Sequence, residues 1–128
     1  MSFVVVLDAS AALAFVLGER GGDEVLAEID GAAISAVNWA EIVEKAITAD
    51  VDDRSLRRVF EELGARVLPV DAGHAEYAAR LREPTRGLGL SLADRICFAL
   101  AAESDATLMT ADHVWAKVDV GVEVRLIR

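Results

Sequence analysis

FVVVLDAS, residues 3–10, runs five apolar residues into a carboxylate and then into small positions. Phe3 to Leu7 shows no polar alternation and is mostly β-branched, the pattern of a strand covered on both faces in a parallel sheet. Asp8 ends the run, and Ser10–Leu17 reads as a short helix. Asp23–Ile29 reads as another, with Gly18, Gly21, Gly22 and Gly31 as punctuation. Ala32–Val37 is expected as the second strand, followed by a helix with Trp39, Ile42, Val43, Ala46 and Ile47 on one face. Arg54–Leu63 is amphipathic and closed by Gly64, Arg66–Val70 is a third strand, and Ala72–Leu81 a further helix. A loop from Pro84 to Leu90 precedes an apolar helix. Strand Thr107–Met109, a short turn at Asp112–Ala116 and strand Val122–Ile127 complete the chain. Alternating strands and helices predict a three-layer α/β/α sandwich on a parallel sheet of four or five strands, wound by right-handed crossovers.

At 128 residues the chain is expected to form a single domain over 1–128, large enough to bury a core without staples. Its 54% apolar content argues against disorder. No apolar run approaches the ~20 residues that would span a bilayer, so no membrane association is expected. MSFVVVLDAS lacks the basic region of a signal peptide. A single cysteine, Cys97, excludes an internal disulfide and fits a reducing cytoplasm, and its apolar setting reads as inert core. Thirteen basic against 22 acidic residues give a net charge of −9. Such a balance opposes nucleic-acid binding by counterion release alone. It leaves room for an enzyme whose acids gather cations in order to handle phosphate.

Four acids fall at the mouths of elements. Asp8 closes the first strand, Glu41 lies in the first turn after the second, Asp94 opens the apolar helix, and Asp112 follows the strand at Met109. In an open parallel sheet these mouths share the carboxyl edge, where ligand crevices form. Each acid also has an ordinary explanation. Asn38 to Glu41 and Ser91 to Asp94 have capping-box spacing, acids favour helix N-termini, and Asp112 suits a turn. Jointly they are harder to dismiss. Two like charges ~4 Å apart at an effective dielectric of ~20 repel by about 4 kcal/mol, so clustered carboxylates call for a cation. Oxygen donors favour Mg²⁺ or Mn²⁺ over zinc. His74 and His113 have no cysteine–histidine cluster around them and are expected at the surface.

VLDASAALAF (6–15), AVNWAEIVEKA (36–46), GLSLADRICFALA (89–101) and LMTADHVWAKV (108–118) together resemble the four signature blocks of PIN-domain ribonucleases, most of all the VapC-type toxins of VapBC modules. The resemblance covers essentially the whole chain. It implies a Mg²⁺-dependent, or Mn²⁺-dependent, cytoplasmic endoribonuclease that hydrolyses RNA by a metal-activated water, leaving 5′-phosphate and 3′-hydroxyl ends. It further implies Asp8 and Asp94 as principal metal ligands, with Glu41 and Asp112 as the other catalytic acids. Ser10 and Thr110 match supporting hydroxyls. A cognate VapB-like antitoxin with a tail in the acidic groove and a homodimeric toxin are also implied. Two positions depart from the pattern: His113 stands where relatives often carry Arg, and Ala93 where many carry Gly.

A net negative field repels RNA, so affinity must come from the metal and a local basic rim. Arg80, Arg82 and Arg86 are candidates for that rim, against the ordinary reading of solvated surface. Trp39 and Trp115 could stack a base or belong to the core. An alternative function is a phosphatase or phospho-acceptor domain, with Asp8 or Asp71 phosphorylated and Thr110 contacting phosphate. Against it, position 10 is Ser where haloacid-dehalogenase-type phosphatases need a second Asp, and the acidic pair of receiver domains is missing. A non-catalytic acidic binding protein is the third class. Phosphate-loop motifs do not occur.

Overall fold

Alternation along each strand sends neighbouring residues to opposite faces of a sheet, and two separate cores result. The computed structural model describes residues 3–128. Its sheet comprises β1 (Val5–Leu7), β2 (Ala33–Ser35), β3 (Arg66–Leu68), β4 (Thr107–Thr110) and β5 (Val124–Leu126), in the order β3-β2-β1-β4-β5. Every neighbouring pair is parallel. The helices are α1 (Ala9–Val16), α2 (Gly22–Glu28), α3 (Ala36–Thr48), α4 (Leu56–Glu62), α5 (Ala72–Arg80) and α6 (Leu92–Glu103), with a 3₁₀ turn at His113–Lys117.

Val5, Leu7, Ile34 and Met109 face one core, which α1 to α4 close with Ala11, Val25, Ile42 and Phe60. Val6, Ala33 and Leu108 face the other, closed by Cys97, Phe98, Leu100 and Ala101 of α6 and by Trp115. This explains the unbroken apolar run of β1: it is the central strand, buried on both faces. It also explains why α6 is buried at every position from Ile96 to Ala101. The expected three-layer α/β/α architecture is the one observed, with five strands.

Several expected boundaries move by one to three residues, among them the first strand, now from Val5, the third, now to Leu68, and the last, now Val124–Leu126, and two of the shifts have a local cause. The second strand does not extend to Val37: it stops at Ser35, whose Oγ accepts the Asn38 N–H at 3.2 Å and caps α3. The helix expected from Arg54 begins at Leu56, because the Asp52 carboxylate accepts from the Arg54 N–H and the Ser55 hydroxyl and holds those residues in a turn. Gly64 is required where it stands: its φ is +97°, and a Cβ there would collide with the Asp30 carboxylate. Among the described residues, no helix is long and apolar enough to cross a membrane.

The chain lays β2 and β3 on one side of β1, then returns to place β4 on the other. The reversal lies between β1 and β4, so the carboxyl edge there is the topological switch point, where open sheets leave a crevice. Asp8 and Asp112 follow the two strands that flank it.

Candidate active site at the carboxyl edge

Asp8 is 4% exposed and caps α1, its Oδ1 accepting the Ala11 N–H at 2.8 Å. Two hydroxyls also donate to it: Ser10 Oγ at 2.8 Å and Thr110 Oγ1 at 2.6 Å. Both hydroxyls accept in turn, Ser10 from the Ala111 N–H at 2.9 Å and Thr110 from the Asp112 N–H at 3.0 Å. The start of α1 is thereby tied to the loop after β4, and Ser10 and Thr110 stand directly behind the Asp8 carboxylate. Burial pushes the Asp8 pKa up to about 6, against those hydrogen bonds, with the Asp94 charge adding to the rise.

Asp94 and Ser91 form the expected capping box: the Ser91 N–H donates to Asp94 Oδ2 at 2.9 Å, and the Asp94 N–H to Ser91 Oγ at 3.1 Å. The cap holds the carboxylate on a stiff helix end. Burial raises the Asp94 pKa, and the Asp112 charge raises it further, opposed by the Ser91 bonds and Arg95. Asp112 is exposed and holds its own turn by accepting the Val114 N–H. Asp8, Asp94 and Glu41 all act on the buried Cys97 thiol, pushing its pKa well up in addition to the larger effect of burial. Cys97 is therefore an inert core thiol, as expected.

Glu41 is positioned by a residue that sequence reasoning misassigned. Asn38 is not a cap. It lies inside α3, 1% exposed, takes the Ser35 hydroxyl on its Oδ1 at 2.7 Å and donates from Nδ2 to Glu41 at 2.9 Å. It also reaches the Ala93 carbonyl at 3.5 Å, linking α3 to the start of α6. The signal was the Ser35-x-x-Asn38-x-x-Glu41 spacing, which puts all three near one helix face. Replacing Asn38 by Ala strands the Glu41 contact and the Ser35 hydroxyl. The expected cost is about 1–3 kcal/mol, read from the urea midpoint.

Other expectations need correction. His74 is buried, not superficial: it completes a capping box in which Asp71 Oδ1 accepts the His74 N–H and Nδ1 accepts the Asp71 N–H, while Nε2 lies 3.2 Å from Glu103. His113 is exposed as expected. Trp115 is 2% exposed against Phe98, and Trp39 packs edge-on against Phe60, so both rings serve the cores. Arg82 and Arg86 line a common cavity with Arg95, whereas Arg80 is exposed and not part of that lining.

Asp71, His74 and Glu103 could together hold a metal ion, with ligand atoms all within 4.8 Å of one another. Among the described residues no three of the four carboxyl-edge acids are drawn so close. The two sets also stand apart. Positions 94 and 103 are separated by roughly 14 Å of helical rise along α6. Asp8 and Asp94 with their acidic neighbours present oxygen donors alone, which suits Mg²⁺ held through one or two carboxylates and several waters. The group around His74 includes a nitrogen donor, which suits softer ions.

Residues 5–121 match the PIN domain family model. The fold is similar to that in a toxin–antitoxin complex from Klebsiella pneumoniae, with a TM-score of 0.74, 22% identity and coverage of 97% of this chain and 98% of that one. It is also similar to DNA-bound VapBC from Salmonella typhimurium, with a TM-score of 0.74, 14% identity and coverage of 98% and 99%. VapBC-5 from Mycobacterium tuberculosis gives a TM-score of 0.62 at 29% identity, covering 98% of each chain. Comparison with curated proteins finds no match.

Proposed function

The chain belongs to the PIN-domain family, and we propose that it is a Mg²⁺- or Mn²⁺-dependent endoribonuclease forming one nuclease domain over residues 1–128, the toxin of a type II toxin–antitoxin pair. The observation that supports this best is the Asp8 carboxyl. It is buried at the switch point, fixed by three donors and within electrostatic reach of Asp94. A buried carboxylate facing another acid is costly, and a divalent cation relieves both burdens.

In this reading Asp8 and Asp94 are the principal ligands, and Asp112 at the open side contributes through water. When bound, the ion supplies positive charge that acidifies a water and offsets charge gathering on the phosphate. Glu41, aimed by Asn38, orients the attacking water and takes its proton. Ser10 and Thr110 hold Asp8 in register by donating to it. The phosphodiester opens in line, leaving a 5′-phosphate and a 3′-hydroxyl. The 2′-hydroxyl takes no part in this reading: the histidine nearest the edge, His113, has its Nε2 on the Arg128 carbonyl at 2.7 Å.

An acidic groove suits a basic inhibitory tail. The Klebsiella and Salmonella structures are toxin–antitoxin assemblies, and this chain is proposed to take a VapB-like partner in the same manner and to pair as a homodimer. The direct test incubates purified protein with single-stranded RNA in Mg²⁺, adds EDTA, then restores Mg²⁺. Cleavage should stop and resume, with 5′-phosphorylated products. Cleavage indifferent to chelation would overturn the mechanism.

A further inference from the structure

Beside Asp94 lies a cavity of about 230 Å³ lined by Arg82, Thr85, Arg86, Gly87, Gly89, Leu90 and Arg95. Three arginines lining one cavity are unexpected in a chain of net charge −9. Elsewhere Arg57, Arg58, Arg125 and Arg128 each sit within 4.0 Å of a glutamate. Among the described residues no carboxylate comes that close to Arg82 or Arg95. Arg86 pairs with Glu83 at 3.4 Å, but both side chains are four-fifths exposed. Such a pair contributes little and opens easily to a better acceptor.

Arg95 is held in place by neutral groups. Its Nε donates to the Ser91 carbonyl at 3.4 Å and its Nη1 to the Ala78 carbonyl at 3.0 Å. The side chain is thus fixed while its charge is left without a close counterion. Ser91 also donates its N–H to the Asp94 carboxylate, so one residue braces both the acid and the cavity. Successive residues of a helix project about 100° apart, which sets the Arg95 cavity next to the acidic edge but on a separate face.

We propose that this cavity is a phosphate subsite, in which Arg82, Arg86 and Arg95 take a backbone phosphate of the RNA strand adjacent to the one cleaved. Guanidinium groups suit phosphate oxygens through paired N–H donors. The subsite supplies local attraction that the overall field denies, and it contacts no base, so it acts on any sequence. The inference rests on the nuclease reading for its substrate.

The test compares wild type, Arg82→Gln/Arg86→Gln and Arg58→Gln/Arg57→Gln, the last removing equal charge from exposed α4. Cleavage of a labelled single-stranded RNA in Mg²⁺ gives KM and kcat across a salt series, and anisotropy in EDTA gives binding of the same RNA. Loss of two arginines from this one phosphate should raise KM roughly tenfold, leave kcat within about twofold and reduce the salt slope by up to about 0.7. The α4 pair should leave all three unchanged. Equal effects from both pairs, or none from the cavity pair, would overturn the subsite. If wild type cleaves no RNA, the nuclease reading fails by itself. The anisotropy then decides the subsite: weakening confined to the cavity pair supports it, and wild-type binding in that pair overturns it.

Discussion

Asp94→Asn should reduce Mg²⁺-dependent RNA cleavage at least about 100-fold while leaving the fold intact. The amide oxygen of Asn can still accept the Ser91 N–H, so α6 keeps its cap. What is lost is the negative charge proposed to bind the cation. Altering groups that merely orient metal ligands typically costs 10–100-fold, and removing a ligand's charge should cost no less. Circular dichroism should be unchanged, and raising Mg²⁺ should restore only part of the rate. A variant that cleaves as fast as wild type would remove Asp94 from the reaction.

Metal-free protein should lose stability as pH rises through the range between the ordinary aspartate value and the folded pKa of Asp8. That carboxyl, ordinarily at 3.8, is pushed up to about 6 by burial. Between those limits the folded state binds more protons than the unfolded state, so unfolding becomes easier with rising pH. The full contribution of the site is about 3 kcal/mol, present below the lower limit and gone above the upper one. Asp94, shifted the same way, adds to the trend. The comparison with Asp8→Asn isolates the effect, because the variant cannot titrate there. In EDTA the stability difference should move by about 2.4 kcal/mol in favour of the variant from pH 4 to pH 7.5. Mg²⁺ should stabilise wild type at pH 7.5 and leave the variant nearly unmoved. A difference that does not change with pH would mean that Asp8 is not held in a charge-poor setting.

The sequence carried the architecture where a single chemical pattern dominated. An apolar run without alternation placed β1 at the centre, and the carboxylate after it at the edge. The apolar helix after Ser91 kept its box because both partners lie within one turn. Reading failed where partners were distant or where two local patterns competed. Ala32 to Val37 favours a strand by composition, yet the Ser35 hydroxyl captures the Asn38 N–H and starts a helix two residues early. Asn38 looked like a cap because its spacing to Glu41 fits one, whereas Ser35 three residues earlier takes the cap and leaves the Asn38 side chain to bridge Ser35 and Glu41. His74 looked superficial because Glu103, which meets its ring, is 29 positions away. Arg95 does not join Arg82 and Arg86 on sequence grounds, since nothing local shows that the loop carrying those two folds back beside it.

Among the described residues two places can attract a divalent ion, and Mn²⁺ binding decides between them. Titration of wild type, Asp94→Asn and His74→Gln, followed by loss of the free-ion electron paramagnetic resonance signal, reads occupancy without reference to any substrate. Wild type and His74→Gln should bind alike, and Asp94→Asn at least about tenfold more weakly. Full binding by Asp94→Asn together with loss in His74→Gln would put the ion at Asp71, His74 and Glu103, and would contradict the catalytic edge proposed for Asp8 and Asp94.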